Sequence, residues 1–291
     1  VGTVRVRIPE IVVEDRRLGR NLNHDPRSRQ YRTGWAGKPV TAKHERRIPY
    51  LNQNSIPRLH GRGLGCCSGC ATVGLLGSEP FFSTLDEDHE EGLDINLAVD
   101  VYSLATQIDP FAGVYPNSDT GSDGLSVAKA AVQLDYSSGY QHIMSLDEAY
   151  AQIVEGPFIF GGIWMSSMDE PDSEGVVRFS GYARGGHEWL FREYDATTGL
   201  WLADNSWTED WGLGGSFKVP DEDMQKQFEQ QADATVIIPL TEPAPTPQPE
   251  PEEHPFPWKD VDPWRHAPHV WSKTTKAVNA INKWAISIGH E

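Results

Sequence analysis

The 291-residue chain reads as an α+β domain: a helical half, then an antiparallel β-sheet half, with an extended N-terminal arm and a C-terminal helical tail. Three observations predict this. Apolar residues recur at helical spacing from about Gly65 to Gly156. Short aromatic-rich segments of β texture follow, as far as about Pro239. Helices first and strands later is the element order of an α+β domain rather than of alternating βα units.

Each element can be justified in turn. Residues 1–50 form a basic, extended arm, because "NHDPRSRQYRTGWAGKP" is polar, turn-rich and weakly periodic. Residues 51–239 form the main domain. Its first helix starts in the small residues of "CCSGCATVGLLGSEPFF", carries Val73, Leu75 and Leu76, and is closed by Gly77 and Pro80. The second spans "LDINLAVDVYSLATQIDP", with Leu97, Val101, Leu104 and Ile108 at helical spacing, and the third spans "GLSVAKAAVQLD". "SLDEAYAQIVEG" opens with Ser145 and has Glu148 three residues on, a capping-box pattern. The expected strands are "PFIFGGIWM", "GVVRFSG", "HEWLFREYD", "LWLADNSW" and "GGSFKVP". The turn signal at 195–199 makes a hairpin with His187 before its first strand and Asn205 just after its second. Residues 240–257 are a Pro/Glu linker without enough apolar surface to pack. Residues 258–291 are Trp-rich and end in a stretch that sets Val278, Ile281, Trp284, Ala285 and Ile288 on one helical face. So short a helix needs something to bury against.

Composition bounds the function. Hydrophobic content is 38%, with 27 Gly and 21 Pro, which suits a packed body bearing irregular extensions. No run of 18 apolar residues is present, so no membrane span is expected. Val1 to Pro9 lacks the apolar stretch of a secretory leader, so export by a Sec-type leader is not expected. Net charge is −17, unevenly spread: residues 1–60 hold 13 Lys/Arg against 5 Asp/Glu, so the remainder holds 12 against 37. A segment at +8 and a body at −25 attract one another, so the arm is expected either across its own body or docked on another subunit. Nucleic acid is not an expected partner, since the acidic bulk repels phosphate.

Cys66, Cys67 and Cys70 fall within five residues, which is no disulfide framework. Cys-x-x-Cys is also a zinc-ligand spacing, and His60 lies nearby, but no second such pair exists; no metal and no cofactor are expected. A thiol nucleophile needs a base beside it and a group orienting that base. Cys67 stands where "GLGCCSG" gives way to an apolar helix, a position whose dipole favours the thiolate. His187 lies 120 residues downstream and Asn205 lies 138 downstream, an order that fits such a set.

Gly185-Gly186-His187, Asp204-Asn205-Ser206-Trp207 and Asp210-Trp211-Gly212 resemble the histidine and asparagine strands of the papain family. "ERRIPYLNQ", "CCSGCATVGLLGSEPFF" and "YSLATQIDPFAGVYPNSDTGSDGLSVAKAA" are similar to papain-like peptidases encoded by phages of actinobacteria. The resemblance covers roughly residues 21 to 220. It implies a papain-like two-part fold and a cysteine peptidase or amidase, virion-associated, acting on a peptide or protein through a thioester. Cys67 would be nucleophile, His187 base and acid, Asn205 the holder of the imidazole tautomer, and Gln53 an oxyanion donor. Trp207 would shield the His–Asn bond; Trp164, Trp207 and Gly186 would border substrate, and "TGSDGLS" (120–126) would form a backbone rim.

Two departures stand out. Gln53 lies 14 residues before Cys67, where the family has six, so "SIPRLHGR" is an insertion; His60 could replace Gln53, or the oxyanion site could be defective. Cys70 could also be aligned as the nucleophile. The competing class is an inactive papain-like structural or docking protein of a virion, joined to its assembly through the basic arm and the C-terminal helix.

Overall fold

The computed structural model describes residues 18–21, 26–56, 63–230 and 232–240. The C-terminal segment expected at 258–291, nearly all of the linker, and His60 lie outside the described residues. The helices are α1 (Cys67–Leu76), α2 (Glu87–Glu91), α3 (Ile95–Ile108), α4 (Gly124–Gln133), α5 (Leu146–Glu155) and α6 (Asp221–Glu229). The strands are β1 (Ala42–Lys43), β2 (Gly139–Ile143), β3 (Phe158–Met165), β4 (Ala183–Asp195), β5 (Leu200–Asp204), β6 (Ser216–Pro220) and β7 (Asp233–Ile238). They form one antiparallel sheet in the order β2-β7-β3-β4-β5-β6, with β1 paired to β4. This is the expected α+β fold. No described helix is long and apolar enough to cross a membrane.

Strand alternation gives the molecule two cores. On β3, Phe158 and Phe160 join one cluster while Ile159 joins the other. On β4, Trp189 and Phe191 face the aromatic cluster with Trp201, Trp207 and Phe217, and Leu190 faces the helices. The helical cluster holds α1, α3 and α4 against Ile159, Leu190 and Ile237 of the sheet. Every residue of α1 is buried, so it is the central helix, not an amphipathic surface one.

Helix starts follow the expected chemistry. Asp94 caps α3 by accepting from Asn96 and Leu97 N–H, and Asp123 caps α4 by accepting from Ser126 N–H. Ser145 caps α5 as its sequence predicts, accepting from Glu148 N–H at 3.3 Å. Glu148 reaches one residue further back than a capping box requires, taking the N–H of Met144 and pairing with Arg32 of the arm.

Some expectations need correction. "GVVRFSG" is no strand: only Val176 makes an isolated bridge, to Lys218. The Asp172 carboxylate takes the N–H groups of Glu174 and Val176, a local turn that competes with a ladder. β4 begins at Ala183, so His187 lies inside the strand and not before it; Gly162 pairs with His187 and Met165 with Ala183. Five elements were not anticipated: β1, α2, β2, α6 and β7. α6 is started by Pro220 and the acidic Asp221, Glu222 and Asp223 at its positive end. β7 closes the sheet between β2 and β3, partners far away in sequence.

The described parts of the arm lie across the protein's own body. β1 pairs with β4, Arg46 pairs with Asp204, and residues 18–21 cross between α4's leading loop and β4.

Candidate active site

β4 and β5 run antiparallel, with Leu190 opposite Asp204, so His187 near the start of β4 and Asn205 just past β5 come together. His187 Nε2 lies 2.8 Å from Asn205 Oδ1, and both side chains are buried. Asn205 Oδ1 also accepts the N–H of Ser206, which fixes the amide with its oxygen toward the ring. An acceptor at Nε2 places the imidazole hydrogen there and leaves Nδ1 as a lone pair. Nδ1 has no hydrogen-bond partner among the described residues. Burial lowers the His187 pKa to about 4, and the bond to Asn205 opposes that shift.

Trp207 stands 5.2 Å from the imidazole and Trp164 meets it edge-on at 5.1 Å. Both indoles are buried, and the Trp164 N–H donates to Asp169. They therefore enclose the imidazole from behind, with no exposed face of their own.

Behind Asn205 stands a device that sequence reasoning missed. Asp204 takes Arg46 at 3.0 Å and Arg192 at 3.0 Å, and accepts from Ser216 and Tyr50 hydroxyls. Arg46 sits in "ERRIPYLNQ" and Asp204 directly precedes Asn205, so the clamp fixes the backbone that carries the amide. Paired charges at those positions were the available signal.

Cys67 is the first residue of α1, at the positive end of the helix. The main-chain N–H groups of Glu188 and Gly19 favour its thiolate. Burial nevertheless drives its thiol far above the usual range, helped by the neighbouring Glu188 carboxylate. In this state thiol and imidazole are both neutral, and no hydrogen bond joins them. Cys70 is buried one turn further along, its sulfur 3.9 Å from that of Cys66, and packs within the helical core. All three cysteines are free.

Gln53 is brought back to Asn205's neighbour despite the insertion. Its main-chain N–H donates to Ser206 O at 2.8 Å, its Oε1 accepts from Ser206 Oγ at 2.6 Å, and its Nε2 donates to Leu64 O at 3.1 Å. Leu64 N–H returns to Gln53 O, so the residues flanking the insertion pair with each other.

The arm crosses this site as an extended strand. Arg20 N–H donates to Gly186 O at 3.0 Å, Asn21 N–H to Ser122 O at 2.9 Å, and Ser122 N–H to Gly19 O at 2.8 Å. Gly186 and the 120–126 stretch thus each offer main-chain groups to an extended segment of the chain itself. A Cβ at Gly19 would stand 2.0 Å from the Gly65 carbonyl oxygen, so only glycine passes there. Among the described residues, no cluster of three or more His, Cys, Asp or Glu could hold a metal ion.

No family model matches the chain, and no curated protein matches it by sequence. Among solved structures it is similar to xylellain, a cysteine protease from Xylella fastidiosa, with a TM-score of 0.54 at 14% identity, covering 82% of this chain and 99% of that one. It also aligns with the ragweed pollen cysteine protease allergen in its proform, at TM-score 0.47 and 14% identity, over 75% of this chain and 64% of that one. At such identity the likeness to xylellain shows the fold, which is papain-like.

Proposed function

We propose that the protein is a cysteine peptidase or amidase that cleaves a peptide or amide bond through a thioester. The observation that supports this most is the buried His187–Asn205 hydrogen bond at 2.8 Å, which leaves Nδ1 as a base. His187 Nδ1 takes the Cys67 proton, and the thiolate attacks the carbonyl carbon of substrate. Gln53 stabilises the oxyanion, and the imidazolium returns its proton to the leaving amine. Water, activated by the same imidazole, then hydrolyses the thioester. Asn205 holds the ring tautomer throughout, and Trp207 keeps water from that bond. Reaction requires the arm to leave, because it holds the main-chain groups of Gly186 and Ser122 that an extended substrate would use.

The test is active-site-directed alkylation by a small epoxide, read by peptide mass. With the arm displaced, Cys67 is expected to label at neutral pH faster than free cysteine, and Cys70 not at all. Labelling no faster than free thiol, even after the arm is displaced, favours an inactive papain-like scaffold. The neutral, arm-covered thiol is the observation on that side.

The setting proposed is a phage particle, resting on the sequence resemblance at residues 45–53, 66–82 and 102–131. The Trp-rich segment at 258–291 is then its anchor to a neighbouring virion protein. Deleting residues 254–291 is expected to free the protein from its particle while turnover of small substrates persists. Loss of turnover on that deletion ends the anchor idea.

A further inference from the structure

Arg20 sits at 6% exposure although it belongs to a charged, extended arm. Its guanidinium Nη2 lies 2.5 Å from Asp233 Oδ1, and its Nε lies 4.0 Å from Glu188 Oε1. Asp123, the cap of α4, adds a third carboxylate that acts on the same guanidinium. These acids come from β4, β7 and the loop before α4, three elements that meet only in the fold. Gly161 of β3 lets the side chain in: a Cβ there would stand 2.1 Å from Arg20 Nε. Gly124 opens the opposite wall, where a Cβ would stand 3.1 Å from Glu188 Oε1. The pocket adjoins His187, which Glu188 directly follows on β4.

We propose that this acidic pocket selects substrate, and that the protein acts on peptides bearing an arginine beside the bond to be cut, Arg20 standing where that side chain goes. The inference rests on the peptidase reading above. A buried carboxylate cluster is costly unless a cation compensates it, so a vacated pocket discriminates strongly between side chains. Burial raises the Glu188 carboxyl to about 8 and Arg20 opposes this shift, so a guanidinium in the pocket favours the charged carboxylate. Main-chain pairing on both sides, at Gly186 and Ser122, holds any extended peptide without regard to sequence, so the pocket is what supplies selectivity.

The experiment uses the full chain with Arg20→Ala, which empties the pocket, and in parallel with Gly19→Val, which expels the arm with the pocket residues intact. Each is treated with peptidyl vinyl sulfones that differ only in carrying Arg, Leu or Glu, the varied residue being moved through the three positions before the electrophile. Labelling of Cys67 is followed by intact mass. Arginine at one position is expected to label about tenfold or more faster than leucine, with glutamate slower still. Asp233→Asn, added to either background, is expected to reduce that preference about tenfold. Equal rates for Arg, Leu and Glu, with Cys67 labelled throughout, overturn the pocket assignment and leave the peptidase reading standing. No labelling of Cys67 by any vinyl sulfone or by the small epoxide overturns both.

Discussion

The imidazole of His187 and the side-chain amide of Asn205 meet at 2.8 Å across two neighbouring strand ends, with Trp207 packed against the ring. Both groups are buried, so water cannot replace either partner. Asn205→Ala therefore leaves a buried ring N–H without an acceptor, at a cost of about 1–3 kcal/mol in stability. Because the amide selects the tautomer and makes no contact with substrate in the proposed mechanism, kcat is expected to fall by about tenfold or more with KM little changed. A fall confined to KM contradicts the role given to Asn205.

Cys67→Ala is expected to abolish labelling and turnover while the fold persists, since alanine suits a helix start. Cys70→Ala is expected to keep both and to lower stability by about 1 kcal/mol through a small core cavity. Mass spectrometry and thermal melts on the two variants decide between the two cysteines. Retained turnover in the Cys67 variant with loss in the Cys70 variant shifts the nucleophile by three positions.

His187 makes stability depend on pH. The imidazole titrates near 6.5 in the unfolded chain and at about 4 in the fold. Between these values the unfolded state binds more protons, so stability is fully present above about 6.5 and lost as pH falls toward 4. The full effect is about 3 kcal/mol. His187→Gln removes this step, so the difference between its melting temperature and that of the wild type should narrow, or change sign, from pH 7 to pH 4. A constant difference across that range argues against a buried neutral imidazole.

Asp204→Ala is expected to be among the most destabilising substitutions near the site, by about 3–5 kcal/mol, because it leaves Arg46 and Arg192 without their buried carboxylate. The Asn205 backbone loses its anchor with it. Asp204→Asn keeps the Ser216 and Tyr50 bonds and should lose less. Chemical denaturation of both variants checks the order.

The sequence by itself determined the secondary structure where burial is periodic. α3, α4, α5, β3 and the β4–β5 hairpin were legible because a residue's neighbours at three, four or two positions share its face. α1, buried all round, was legible instead from its small-residue start and its stop at Gly77 and Pro80. It also determined the pairing of His187 with Asn205, since a short hairpin turn fixes which strand ends meet. β7 was not legible, because its partners β2 and β3 are distant in sequence and nothing local announces the pairing. "GVVRFSG" misled because β-branched residues record propensity, whereas the Asp172 carboxylate took the N–H groups a strand needs. Gln53 could be judged only in three dimensions, where Leu64 pairs with it across the insertion and its amide meets Ser206. Arg20 and Asp233 are 213 residues apart, and only the tertiary structure joins them. Net charge along the chain said that arm and body attract. Which arginine enters, and between which acids, depends on β4, β7 and α4 closing around one point, and hydrophobic patterning does not encode that geometry.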